Sequence, residues 1–289
     1  MTDKLQSKQV SQEIGYYLEK IKLPDPKSHK GQNGKLLVIG GSELFHSSIF
    51  WAADVASKIV DMVHFASPAN ENNQLVRQKI KAGFWSGIVV DWSEIDYYLE
   101  EDDAVLIGPG MDRSNQTEII VNQLLAKYPT KKWVIDGGAL QMVDPQYFTA
   151  GQIITPHHKE LEIVLDKISS SDRAVALTKL LETKITLLAK GPTDEVTQDS
   201  IVVKIPGGNA GMTKGGTGDV LAGLVAALYC QHDALTAAIV GSYLNKYSAE
   251  TLWKTVGPNF SAGDLVVEVP KSFWRLLSTK SKKFPAKIA

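Results

Sequence analysis

The sequence predicts an α/β protein built on a mostly parallel central sheet, with helices on both faces and a short antiparallel edge. Three observations carry this. Short, uniformly apolar runs rich in Val, Ile and Leu alternate with segments of helical period, the pattern of strands covered on both sides. The stretch from Val196 to Ile205 is interrupted only at Asp199-Ser200 and reads as two strands joined by a tight turn. Glycine-rich loops follow one strand candidate after another.

Residues 1–30 are polar, with a helical patch around Ile14 to Ile21 that breaks at Pro24 and Pro26. The expected organisation is an N-terminal arm, 1–27, packed on one domain, 28–280. Strands are expected at 36–39, 63–66, 88–90, 104–107, 133–135 and 185–189. Helices are expected between them, among others at 117–127 and 171–182. In the former, Ile119, Ile120, Gln123, Leu124 and Lys127 fall at helical spacing. After the hairpin come two helices rich in small residues, 220–229 and 235–252, and a short C-terminal helix. Small-residue helices suit either a subunit interface or the chain's own core.

Lys and Arg total 31 against 32 Asp and Glu, a net charge of −1, so no global field draws nucleic acid or an anionic membrane. At 289 residues, 44% apolar and 22% charged, the chain is an ordinary globular one and needs no metal or disulfide staple. The lone Cys230, in the run Leu228-Tyr229-Cys230, is expected to be buried and inert. Met1-Thr2-Asp3-Lys4-Leu5-Gln6 lacks a leader's apolar core, and no run approaches the roughly 18–20 residues of a membrane span. A cytoplasmic location is the expectation.

Ligands of open α/β sheets bind beyond the carboxyl ends of the strands. The densest signal there is Gly215-Gly216-Thr217-Gly218-Asp219, followed at once by the apolar Val220-Leu221-Ala222-Gly223-Leu224. Glycines admit close backbone approach, and the helix start adds unpaired N–H groups and a positive dipole end, which suits a phosphate. An acid beside a phosphate then makes sense as a base that deprotonates an attacking hydroxyl. The competing reading makes Asp219 a plain N-cap after a glycine turn. There is no P-loop string, Gly40-Gly41 does not extend to Gly-x-Gly-x-x-Gly, and no Gly-x-Ser-x-Gly elbow occurs. His157-His158 with Glu160 lacks the spacing and thiols of a zinc site.

The segment from Asn209 to Gly223, with its Gly-Gly-Thr-Gly-Asp core, resembles the signature of the ADP- or ATP-dependent NAD(P)H-hydrate dehydratases of the ribokinase-like superfamily. The likeness continues through His29-Lys30-Gly31, Gly34-Lys35, Val38-Ile39-Gly40-Gly41-Ser42, Ile107-Gly108-Pro109-Gly110, Thr155-Pro156-His157, Glu160 and Lys190-Gly191. It spans roughly residues 28 to 265.

The resemblance implies a ribokinase-like fold. It also implies dehydration of the (S)-hydrate of NADH or NADPH, coupled to ADP (or ATP) with Mg²⁺ and yielding AMP and phosphate from ADP. Asp219 would then be the base and a substrate contact, with the amides of Gly216, Thr217 and Gly218 on the transferring phosphoryl group. Lys190, Gly191, Pro192, Thr193, Asp194 and Gly218 would hold the nucleotide; Ser48, Gly110 and His157 would touch the substrate. Glu160 would serve Mg²⁺ and its water shell, unless it is simply a solvated glutamate early in a helix. A homo-oligomer is implied, a tetramer among the assemblies allowed. The stretch before His29 is too short for an epimerase domain, so an epimerase is expected on a separate protein.

Three places depart from the family pattern. Ser48, in Phe45-His46-Ser47-Ser48, stands where a substrate-contacting Ala is expected; Val60-Asp61-Met62 replaces Gly-Ala-Gly; and Gly138 replaces an acid. These changes are expected mainly on the acceptor side of the site. They leave open a hydroxyl kinase of the same superfamily acting on a vitamin precursor, and a nucleotide-binding regulator without turnover.

Overall fold

The computed structural model describes residues 13–82, 87–170 and 172–278. Residues 1–12 of the expected arm, Ser171 in an expected helix, residues 279–280 of the expected domain and the side chains of residues 80–82 lie outside that description.

The chain opens with α1 (13–19), then β1 (Lys35–Ile39), α2 (His46–Ala56), β2 (Met62–Ala66), α3 (Asn70–Ala82) and β3 (Gly87–Val89). It returns to the centre through α4 (Ile95–Glu101) and β4 (Ala104–Ile107), then steps outward through α5 (Asn115–Lys127) and β5 (Trp133–Ile135). Next come α6 (Gly137–Met142), β6 (Ile153–Ile154), α7 (His158–Asp166), α8 (Arg173–Glu182) and β7 (Thr186–Ala189). The hairpin of β8 (Asp194–Gln198) and β9 (Ile201–Ile205) closes the sheet, and α9 (Thr217–Gln231), α10 (Ala234–Val256) and α11 (Ala262–Ser278) complete the chain. The strand order is β3-β2-β1-β4-β5-β6-β7-β8-β9, parallel as far as β7 and antiparallel at β8 and β9. The mixed sheet with its antiparallel edge is thus the predicted one. Asp199 takes the positive φ of 51° that the tight hairpin turn demands.

Strand side chains alternate between two cores. Leu36 and Val38 of β1 join the layer of α2, α9, α10 and α11, whereas Leu37 and Ile39 join the layer of α4 to α8. Helix α9 is buried at every residue from Val220 to Cys230, so its apolar, small-residue surface is consumed by its own fold. Helix α10 is likewise buried over most of its length, and of the two uses open to these helices the structure takes the core. Ile14, Tyr17 and Leu18 of α1 are buried in that same layer. The C-terminal helix, expected to be short, runs 17 residues and carries Pro270 inside it. Cys230 is buried, with Sγ 3.4 Å from the Lys35 carbonyl, and burial pushes its thiol pKa far up, as befits an inert thiol.

One buried hydrogen-bonded pair of titratable side chains sits within the second layer. His64 Nδ1 of β2 lies 2.7 Å from Asp102 Oδ2, both essentially inaccessible. Burial pushes the Asp102 carboxyl above its ordinary range, against the pull of the His64 hydrogen bond. Removing one partner leaves buried polar atoms of the other without a hydrogen bond. His64→Ala is therefore expected to lower unfolding free energy by about 1–3 kcal/mol, read as a fall in urea midpoint with unchanged slope.

Candidate active site

The switch point falls between β1, which continues to β2 on one side, and β4, reached only after β3. Loops at the carboxyl ends there are stitched side by side. Gly41 N–H donates to the Pro109 carbonyl at 2.8 Å, Gly108 N–H to Ile39 at 3.0 Å, Asp136 N–H to Ile107 at 3.0 Å and Lys190 N–H to Pro156 at 2.8 Å. The predicted loop cluster is thus one continuous surface.

The Gly-Gly-Thr-Gly-Asp segment starts α9. Its N-cap is Gly216, at φ 93°, a left-handed conformation where a Cβ would also stand 2.8 Å from Trp51 Cδ1 and from Ala262. Asp219 is not the N-cap, and the helix has no side-chain cap. The buried Thr217 hydroxyl donates to the carbonyls of Met212 (2.6 Å) and Lys214 (2.9 Å) and so pins the loop. The Thr217 amide leans on Lys214 O at 3.4 Å and that of Val220 bonds Gly216 O at 3.0 Å. A helix start leaves its first amides without intrahelical acceptors, and here those of Gly216 and Gly218 serve an incoming anion best.

Asp219, partly buried in the first turn, meets charges of both signs. Burial raises its carboxyl pKa, the Asp136 carboxylate raises it further, and Lys190 and a hydrogen bond from the Ser48 hydroxyl pull it back, to about 6. Lys190 Nζ donates to Asp136 Oδ1 at 2.8 Å and lies 3.7 Å from Glu160 Oε2. Burial disfavours its charge, but Asp136, Glu160 and Asp219 together outweigh that and hold its pKa above the usual range. Asp136 is fixed in turn by the Thr155 hydroxyl at 2.7 Å. Three carboxylates thus share one ammonium. Among the described residues no three His, Cys, Asp or Glu side chains converge to hold a metal ion by themselves, so a divalent cation here would need oxygen ligands from a bound molecule as well.

Two cavities open along the carboxyl-end loops. One, of about 560 Å³, is walled by Lys190, Gly191, Pro192 and Asp194 on one side and by Gly207, Gly208, Met212, Thr217 and Gly218 on the other, with His157 at its edge. The second, of about 450 Å³, opens over Gly41 to Phe45 and Asp112 to Thr117. Asp219 is on the lining of neither. Its neighbours Gly218 and Lys190 line the first cavity, and Ser48, packed against Gly110, hydrogen-bonds its carboxylate. Gly110 itself has φ 72° and lies so near the Phe45 carbonyl that a Cβ would approach it to 2.3 Å.

The remaining candidates are placed as follows. Thr193 is exposed and outside the cavity wall. Asp194 is buried and accepts from Gly191 N–H (2.9 Å), Ser242 Oγ (2.7 Å) and Lys246 Nζ (3.2 Å), which makes it the organiser of the 190–194 turn. His157 caps α7: its Nδ1 accepts from Glu160 N–H at 3.2 Å while Glu160 Oε2 accepts from His157 N–H at 2.9 Å, a capping box. Glu160 is only 5% exposed, not a solvated side chain, and its Oε1 also accepts from Gln141 at 3.2 Å. With both oxygens engaged, it suits a cation's water shell better than direct ligation.

The departures from the family pattern do not all fall on the acceptor side. Asp61 stands at the amino end of β2, opposite the site, where its carboxylate accepts from the amides of Gly31 (2.9 Å) and Asn33 (3.0 Å). It anchors the 31–33 loop. Gly138 has no room for an acid, because a Cβ there would lie 2.0 Å from the Met111 carbonyl. Ser48 alone of the three contacts Asp219, through a hydrogen bond from its hydroxyl.

Sequence reasoning missed Lys246 and Asn245, neighbours on α10. Lys246, 4% exposed, donates to the carbonyls of Gly191 (3.0 Å), Pro192 (3.1 Å) and Gly207 (3.0 Å), tying both walls of the larger cavity. No motif in the sequence sets the pair apart from the rest of this helix.

Comparison with solved structures gives a TM-score of 0.77 with a ribokinase-like superfamily protein of Enterococcus faecalis, 20% identical, over 91% of this chain and 94% of that one. The ADP/ATP-dependent NAD(P)H-hydrate dehydratase of Bacillus subtilis, co-crystallised with ATP and Mg²⁺, gives 0.73 at 22% identity, covering 91% and 97%. The fold is therefore ribokinase-like. A family model described as NAD(P)H-hydrate dehydratase matches residues 36–271. The bifunctional NAD(P)H-hydrate repair enzyme of Methanocaldococcus jannaschii is 34% identical over 258 residues, 88% of this chain and 50% of that one. Its Archaeoglobus fulgidus counterpart is 30% identical over 262 residues, 87% and 53%. The chain belongs to the NAD(P)H-hydrate dehydratase family, and it spans about half the length of these curated relatives.

Proposed function

We propose that this chain removes water from the (S)-hydrate of NADH or NADPH at the expense of an adenine nucleotide, ADP before ATP. The observation that carries this reading is Asp219 in the first turn of α9, next to the cavity-lining Gly218, with its carboxyl pKa raised by burial and with Lys190 and the Ser48 hydroxyl facing it. The nucleotide lies in the larger cavity, with its terminal phosphate on the amides of Gly216 and Gly218 and near Lys190. The hydrated nicotinamide enters from the side of Ser48 and Gly110.

Hydroxide is a poor leaving group. Asp219 takes the proton from the substrate hydroxyl as its oxygen bonds to the terminal phosphorus, and the bond to AMP breaks. The resulting phosphate ester then leaves as phosphate, driven by the ring nitrogen lone pair. Loss of a proton from the neighbouring carbon restores the dihydropyridine, so hydrate and ADP become NAD(P)H, AMP and phosphate. Negative charge on the phosphoryl group in flight is met by fixed N–H dipoles and by the Lys190 ammonium. Mg²⁺ bound with the nucleotide would neutralise phosphate charge, held through water near Asp136 and Glu160. Self-association is part of the proposal, supported by Val267 and Trp274, exposed on α11. So is a cytoplasmic location; no helix among the described residues is long and apolar enough to cross a membrane.

The test is to incubate the chain with hydrated NADH and either ADP or ATP, following dihydronicotinamide absorbance. Recovery with one of them is expected, and no recovery with either would overturn the reading. Because the base must be ionised, kcat/KM is expected to fall as pH drops through about 6. Ser48→Ala removes a donor to the ionised form, so this acidic limb is expected to move to higher pH.

A further inference from the structure

Most polar side chains on the wall of the larger cavity are already satisfied within the protein. Asn209 accepts from Gly211 N–H and donates to the Ala249 carbonyl, both at 3.0 Å. Asp194, Lys246 and Thr217 are engaged as described above, and Lys190 is paired with Asp136. Asn245 is the exception. It is 2% exposed and lines the cavity, yet its carboxamide oxygen is buried without a hydrogen-bond partner. A buried acceptor left unpaired is destabilising, and its persistence calls for an occupant that pairs with the carboxamide.

The position of Asn245 says which part of a ligand that is. Gly218 marks the phosphate end of the cavity, and Leu221, one helical turn further along α9, also lines it. Pro192, Ala210 and Met212 line it as well, apolar surfaces fit for the faces of a flat ring. Asn245 lines the same cavity from α10, next to Lys246, whose ammonium holds the Gly191, Pro192 and Gly207 carbonyls. A carboxamide offers an acceptor and a donor side by side, exchanged by rotation about Cβ–Cγ. Adenine presents the complement, an exocyclic amine beside a ring nitrogen, and Asn with adenine is a recurrent bidentate pair.

We infer that Asn245 is the base-reading residue of the nucleotide cavity, its carboxamide pairing with the exocyclic amine and adjacent ring nitrogen of adenine. This rests on the nucleotide reading above and adds to it a residue that selects the base.

The experiment compares binding of ADP and of purine riboside 5′-diphosphate, which lacks the exocyclic amine, by calorimetry on the whole chain. Wild type is expected to prefer ADP by about tenfold or more, the usual scale of a bidentate base contact. In Asn245→Leu the preference is expected to collapse to about one, because ADP loses both hydrogen bonds to the carboxamide and purine riboside diphosphate, which keeps the ring nitrogen, loses one. Asn245→Ala, a smaller change, reads the same ratio if the leucine variant does not fold. A wild-type ratio near one, or a ratio retained in either variant, overturns the role of Asn245 while leaving the nucleotide site standing. Binding of neither nucleotide by wild type overturns the site itself, and this inference with it.

Discussion

Asp219→Asn is expected to abolish turnover, by about 10²–10⁴-fold or more, while nucleotide binding persists and the protein becomes more stable. The amide keeps the shape of the side chain but cannot accept the hydroxyl proton. The stability gain follows from the same carboxylate. Its pKa is about 6 in the fold against an ordinary 3.8, so the folded chain resists an ionisation that the unfolded chain accepts. That penalty is absent below the unfolded value, grows between the two, and is fully present above about 6. Two pKa units correspond to up to about 3 kcal/mol at neutral pH, enough to raise the melting temperature by several degrees. Calorimetric melting at pH 7 and at pH 4 checks the sign: the gain over wild type should shrink at the lower pH. A variant that kept its rate would remove Asp219 from the mechanism, whatever its melting temperature.

Gly218→Ala is expected to do the reverse, losing nucleotide while leaving the fold alone. A Cβ at Gly218 meets nothing nearer than Lys190 Nζ at 3.8 Å, so the unliganded protein has room for it. Alanine is also the better helix former, by about 1 kcal/mol. That methyl group, however, projects beside the amide proposed to hold the terminal phosphate, on the wall of the larger cavity. Affinity for ADP is expected to fall by at least about 100-fold, the effect of pushing a phosphate off its N–H donors, with an unchanged or higher melting temperature. Unaltered affinity, measured by calorimetry, would move the phosphate away from this loop. Gly216→Ala makes a poorer probe, since the left-handed backbone and the neighbouring Trp51 penalise any side chain there.

The sheet was legible because strands covered on both faces have no polar positions to disguise them. Runs such as Leu36 to Ile39 and Ala104 to Ile107 fall within a residue of the strands seen. Strand β6 escaped notice, since two residues, Ile153 and Ile154, are too few to make a pattern. The C-terminal helix was expected to be short, yet it runs 17 residues and passes through Pro270. At the site, the glycine loop announced itself because its chemistry is local. Asn245 and Lys246 did not, because their roles depend on loops some forty to fifty-five residues away meeting α10. Asp61 misled for the same reason: its place in the sequence says nothing of which end of the sheet it occupies, and its partners are backbone amides that no motif records.

The single ammonium of Lys246 has one last bearing on how the protein discriminates. It grips Gly191 and Pro192 on one bank and Gly207 on the other, and all three bonds originate from α10. Neither bank drifts without dragging its opposite along. The width of the slot is accordingly gauged by the reach of a lysine stem, and the ruler is housed in a core helix rather than in the pliable turns that a ligand meets first.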